Sequence, residues 1–400
     1  MAGSRKQSAM ERLARTGKGM ELWWDSNPLI YEAWCAKFLA AVPEDQREQL
    51  AEQLKAMWNE GANPNDWVFR GVTTNPPLTK AAFEYVKDEG ISIIKDARRN
   101  HPSLGYREVA WEAYKAASQK GARRYLPLFE GSGYRFGFVC AQVDPALCKD
   151  TAEMVRQGLE LWKLAPNVMI KVPASRAGVA AMRILTTLGV PINATLSFTL
   201  PQIMAVARAV KEGKQLGEKL GICYDKWRAV ITLMIGRFED AAIFREQAAQ
   251  KGIQLTDELK RWSGIAVARK ACQLLAEGNY PCKLLIASSR VGPTVDGQQR
   301  IWHIEGVVGR DVVYTMNPEL IQSFMLLYSD RPIETELSKN EIPQTVMEQL
   351  LQAPYFAQAY SEDGIREEEF ETIEPFVTTY RQFSGAMDDL ASYVKKVLEG

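Results

Sequence analysis

Residues 165–175 read APNVMIKVPAS, an apolar, strand-like run closed by Pro173, with one lysine, Lys171, at its centre. A lysine there is a poor stability device. Burial strips its ammonium of hydration and favours the neutral amine, a nucleophile toward a carbonyl carbon. The competing reading places Lys171 at a strand end with its ammonium snorkelling to water. The rest of the chain has to decide between them.

Outward from this run, short segments rich in valine, isoleucine and aromatics alternate with longer amphipathic ones, the signature of βα units around a parallel sheet. Eight strands are expected, over residues 20–25, 68–73, 136–143, 168–173, 191–196, 229–234, 283–288 and 311–315. Helical spacing of apolar residues marks 30–60, 147–164, 178–188, 200–216, 238–251 and 258–277. Eight strands each followed by helix predict a (β/α)8 TIM barrel, an α/β fold. A dinucleotide-binding open sheet would instead need G-x-G-x-x-G after its first strand, where this chain has WWDSNP. Residues 80–128 are long for one connection and predict extra helices after the second strand, such as 106–118. Beyond residue 328 the alternation stops. Helical patterns at 344–351 and 383–398, with an acidic run between them, predict a helical C-terminal extension. We read 1–400 as a single domain, with the barrel at about 20–330 and a cap at 331–400.

Composition excludes several classes. The 400 residues carry 49 basic and 49 acidic side chains, so no global field draws the chain to nucleic acid or to a membrane surface. An anionic ligand must be held by a local site. The six cysteines form no CxxC pair and only two histidines occur, so we expect reduced thiols, a cytoplasmic protein and no metal site. The polar N-terminus lacks an apolar signal core, and no run of about 18 apolar residues suggests a membrane span. Trp34, Trp58, Trp111, Trp162 and Trp262 fall in helix-like stretches and read as packing anchors.

In such a barrel the working residues project from the C-terminal ends of the strands. There the sequence places Asp25, then Thr74-Asn75-Pro76, Gln142 and Asp144, Lys171, Asn193 and Thr195, Thr232 with Arg237, and Ser288 with Arg290. Asn193 and Thr195 are two apart and share a face. An amine, a carboxylate, amides, hydroxyls and two guanidinium groups converging on one mouth are far more specific than any one of them.

Five motifs, GVTTNPPL (71–78), QVDPALCKDT (142–151), IKVPAS (170–175), INATLSF (192–198) and IGRFED (235–240), resemble the successive strand motifs of the transaldolases. The resemblance implies a Schiff-base aldolase that needs no cofactor and no metal, acting on phosphorylated sugars and transferring a dihydroxyacetone unit from a ketose phosphate to an aldose phosphate in the pentose phosphate pathway. It implies Lys171 as the Schiff-base lysine, Asp25 as acid/base, and Thr195 as the residue positioning a water. Thr74, Asn75, Asn193 and Thr232 match substrate-binding positions, Thr232 standing where the family commonly has serine. Arg237, with Ser288 and Arg290, matches the phosphate site, for which a guanidinium fork is suited. A homodimer is compatible with apolar surface on the outer helices or the cap.

The bland readings are specific too. Asp25 could cap the following helix, Asn75 could be turn chemistry, and Arg290 could pair with a surface carboxylate. Three departures from the family stand out. Gln142 occupies the place of a glutamate, Met234 that of an aromatic residue, and the loop after Arg290 differs. An amide orients a water but cannot relay its proton. Gln142 resembles the fructose 6-phosphate aldolases, which release free dihydroxyacetone, and opens the alternative of an aldolase or a specialised biosynthetic transferase. A third reading is a silent barrel that only binds a sugar phosphate.

Overall fold

The computed structural model describes residues 6–400. Its strands are β1 (Glu21–Asp25), β2 (Phe69–Thr73), β3 (Phe138–Gln142), β4 (Val168–Pro173), β5 (Ile192–Ser197), β6 (Ala229–Met234), β7 (Lys283–Ala287), β8 (Thr294–Val295), β9 (Gln298–Gln299) and β10 (Val312–Met316). Strands β1–β7 and β10 close a parallel barrel in the order β1-β10-β7-β6-β5-β4-β3-β2, while β8 and β9 form a separate antiparallel hairpin. All eight expected strands are present, with ends shifted by at most two residues.

The strands are legible because both faces are buried. Outward side chains such as Ile170, Val172, Ile192, Ile231 and Ile286 join the layer under the helices. Inward ones, Trp23, Phe138, Cys140, Met169, Val230, Leu285 and Val313, pack with one another in the lumen. Gly71 is what lets Trp23 in, since a Cβ at this position would lie 2.5 Å from the indole ring.

Three helices follow β2, Pro76–Tyr85, Lys87–Asn100 and Tyr106–Gly131. The last extends well past the expected residue 118, through Pro127. The pattern read as one helix over 30–60 is two, Tyr31–Ala41 and Glu44–Met57. Pro43 imposes extended geometry on Val42 and lacks the N–H that would continue the ladder. The pattern over 238–251 likewise divides into Ile235–Glu239 and Ala242–Gln250. The N-terminal residues 1–5 lie outside the described residues. From Ser8 onward the polar N-terminal segment forms the capped helix Ala9–Ala14, in which Ser8 and Glu11 exchange capping hydrogen bonds.

The C-terminal extension is helical, but the 383–398 pattern divides at Gly385 into Glu374–Ser384 and Ala386–Glu399. The first lies against β5 and the Pro145–Leu147 turn after β3. The second packs on the helices that follow β2. The extension therefore reaches the C-terminal end of the barrel. No helix of the described residues is long and apolar enough to cross a membrane.

Candidate active site

Strand parity builds the site. Two residues beyond the apolar lumen residues Trp23, Cys140, Met169, Val230 and Val313 stand Asp25, Gln142, Lys171, Thr232 and Thr315. A lumen that is apolar at depth becomes polar at its mouth. Gln142, Lys171 and Asn193 are Cα partners across three neighbouring strands, so their side chains emerge side by side. Lys171 is only 6% exposed. No ion pair or hydrogen bond to a described residue occupies its ammonium, which lies within electrostatic reach of Asp25 and Cys140. Snorkelling to bulk water does not describe it.

Asp25 does not cap the next helix. Asn27 does, accepting the Leu29 N–H at 3.1 Å. The Asp25 carboxylate instead accepts the Thr73 hydroxyl at 2.5 Å, and Thr73 is in turn hydrogen-bonded to Thr315. Burial raises the Asp25 pKa above the usual aspartate value. The Lys171 ammonium and the Thr73 hydrogen bond oppose this, and Glu319 adds to it. Such a carboxyl gives up and takes back a proton more readily near neutral pH than an exposed one does.

Around these two groups the polar atoms are poised rather than consumed. Both amide atoms of Gln142 and the hydroxyls of Thr195 and Ser197 are buried without a hydrogen-bond partner. Asn193 donates to Cys140 Sγ at 3.2 Å and accepts from Thr232 at 2.7 Å. Asn75 does perform turn chemistry, its Oδ1 accepting the Leu78 N–H at 2.8 Å; Nδ2 makes no such contact. Thr74 follows the lumen-facing Thr73 by one residue, and its buried hydroxyl is unpartnered. The threonine that touches the acid is Thr73, to which the sequence reading gave no role; it had taken Thr74 as substrate-binding.

The two arginines come together beyond β6 and β7. Burial and then the neighbouring Arg290 charge lower the Arg237 pKa, with Asp240 opposing. Arg290 pairs with Asp240 at 3.1 Å, as its bland reading held, and donates to the Ser288 carbonyl at 2.8 Å while still facing Arg237. Gly236 permits this closeness, because a Cβ at this position would lie 2.1 Å from the Ser288 carbonyl oxygen. Gly236→Ala is expected to destabilise the protein by about 2 kcal/mol or more and to weaken phosphorylated-substrate binding. Thermal unfolding and KM for a ketose phosphate check this.

Sequence reasoning missed what lies beneath the arginines. His303, fully buried, accepts the Arg290 backbone N–H on Nδ1 at 2.9 Å, which places the ring proton on Nε2, 2.9 Å from Glu239. Burial, then Arg261 and Arg290, hold the His303 pKa well below the ordinary value, so the ring stays neutral. Glu239 also pairs with Arg261. The one signal available was the glutamate in IGRFED; its partner lies 64 residues away. Met234 ends β6 and is 7% exposed. Among the described residues no three His, Cys, Asp or Glu side chains group to hold a metal ion.

The closed parallel barrel carries a buried lysine, an opposed carboxyl and a pair of arginines at its C-terminal mouth, groups whose chemistry suits a carbonyl compound that bears an anionic group. The family model described as Transaldolase/Fructose-6-phosphate aldolase matches residues 61–381, and the chain belongs to this family. It is 32% identical over 262 residues to a transaldolase of Thiobacillus denitrificans, covering 62% of this chain and 71% of that protein. Transaldolases of Mycolicibacterium smegmatis and Mycobacterium marinum are each 28% identical over 289 residues, covering 71% of this chain and 70% of theirs. The family match begins at residue 61, beyond Asp25, so the acid/base assignment rests on its own geometry.

Proposed function

We propose that the protein is a transaldolase, moving a dihydroxyacetone unit from sedoheptulose 7-phosphate or fructose 6-phosphate to an aldose phosphate. The observation that carries the proposal is Lys171, buried without an ion-pair partner and within electrostatic reach of a carboxyl whose pKa burial raises. In this reading the Lys171 nitrogen, having passed a proton to the ketone oxygen, adds to C2, and that oxygen leaves as water with a second proton from the same nitrogen, giving an iminium. Asp25 takes the C4 hydroxyl proton as the C3–C4 bond breaks, and the electron pair passes into the iminium to form an enamine. The shortened aldose departs. The enamine C3 then attacks the acceptor aldehyde, Asp25 returns its proton to the new hydroxyl, and water releases the product from Lys171. Asn75 and Asn193 hold donor hydroxyls, Thr232 orients Asn193, Thr195 and Gln142 hold a water, and Arg237, Ser288 and Arg290 receive the phosphate.

Gln142 supports a second reading in the same barrel, an aldolase that protonates the enamine and releases dihydroxyacetone. Incubation with fructose 6-phosphate, alone and with erythrose 4-phosphate, separates the two. Acceptor-dependent turnover is expected, whereas equal turnover without acceptor, yielding free dihydroxyacetone, replaces transfer by cleavage. We place the protein in the cytoplasm, supported by six free cysteines, and treat its C-terminal helices as part of the barrel domain. A homodimer is supported by Ile184, Leu188, Leu216 and Leu220, exposed apolar residues on or at the ends of two adjacent helices.

A further inference from the structure

Arg237 forms no ion pair with any described residue, although it carries the charge best placed for a phosphate; its neighbour Arg290 is already matched by Asp240. What holds Arg237 is neutral and comes from one element of the C-terminal extension. Its Nη1 donates to Gln382 Oε1 at 2.6 Å and to Thr379 Oγ1 at 3.3 Å, and its guanidinium lies 5.4 Å from the centre of the Phe383 ring. All three residues belong to the helix Glu374–Ser384, anchored elsewhere by Glu374 accepting the Ala242 and Ile243 N–H groups. Thr379 is fully buried and Phe383 nearly so.

The chemistry of this cage matters. A carboxylate in place of Gln382 would neutralise the guanidinium and repel a phosphate dianion. An amide oxygen and a hydroxyl fix the orientation of the fork while leaving its charge unspent. With Oε1 accepting from Arg237, the Gln382 Nε2 donors form no hydrogen bond to a described residue.

We propose that the helix Glu374–Ser384 is part of the phosphate subsite, with Gln382, Thr379 and Phe383 as positioning residues that orient the Arg237 guanidinium and so set the preference for phosphorylated over unphosphorylated ketoses. The inference rests on the transaldolase reading of the site and concerns the one part of the chain that sequence patterns left without a role.

The test compares wild type, Gln382→Ala and Gln382→Glu with fructose 6-phosphate and with fructose, by steady-state kinetics and by borohydride trapping at Lys171. Gln382→Glu is expected to raise KM for fructose 6-phosphate by at least about tenfold, with little change in the trapping concentration for fructose. Gln382→Ala, which removes an orienting contact without adding charge, is expected to raise it about threefold. If either variant loses activity toward fructose 6-phosphate and fructose alike, or neither loses phosphate preference while Lys171 is still trapped, the helix is a structural cover and the proposal is overturned. Failure of wild type to form an adduct with either ketose overturns the transaldolase reading itself, and the proposal with it.

Discussion

Lys171→Met removes ketose-dependent turnover by at least about a thousandfold and leaves no borohydride-reduced adduct on the peptide containing residue 171. Methionine keeps much of the lysine stem in a position that is 6% exposed, so the barrel remains folded and the loss is chemical. The size of the effect follows from the mechanism. Without the amine there is no iminium, and the C3 carbanion has no electron sink. Full activity in this variant would mean that the covalent route is wrong. A variant and a wild type alike in binding ketose phosphate but not turning it over would instead describe a silent barrel.

The second large effect separates chemistry from stability at Asp25. Asp25→Asn keeps the shape of the side chain and still accepts the Thr73 hydroxyl, but it cannot take the C4 proton; kcat is expected to fall by about a hundredfold or more. Lys171 should still be trapped by ketose, because Schiff-base formation precedes the step that Asp25 serves. In wild type, kcat/KM should fall as pH drops through a pKa above the usual aspartate value, since the raised pKa protonates the base earlier. That limb should be absent from Asp25→Asn.

Stability should move the other way. A carboxyl whose folded pKa is raised favours the folded state when protonated. That contribution is complete below the unfolded aspartate pKa of 3.8 and is lost as pH rises through the folded value. At neutral pH the ionised, desolvated Asp25 therefore costs stability, and the asparagine variant should melt higher than wild type, with the gap closing in acid. A lower melting temperature at neutral pH would mean that Asp25 is a structural residue and not a strained functional one.

The sequence exposed the barrel because its strands are buried on both faces and separated by amphipathic helices, so each reads as a short continuous apolar run. It also exposed Lys171, since one charge in such a run is conspicuous. Helix ends were less legible. Pro43 and Gly385 each interrupt an apolar periodicity that continues across them, and periodicity alone does not register a broken backbone ladder. Local polar chemistry was ambiguous for a similar reason. Asp25 and Asn27 are equally good caps on paper, and only the strand end, which turns Asp25 inward, assigns the cap to Asn27. Thr73 and Thr74 differ only in phase, and phase is fixed by where β2 sits on the barrel.

What the sequence determined by itself was the set of local decisions: eight buried strands, the lysine, and the candidate polar residues at the strand ends. These depend on composition and spacing over a few residues. Tertiary structure decided which of those groups meet and what holds them. Thr315 reaches Thr73 because β10 closes beside β1 and β1 pairs with β2, a neighbourhood set by barrel closure. His303 holds the backbone of Arg290, and Gln382 reaches back 145 residues to Arg237. Such pairings follow from the path of the chain in space, and no periodicity in one dimension encodes a contact whose two halves are each, locally, an ordinary polar residue.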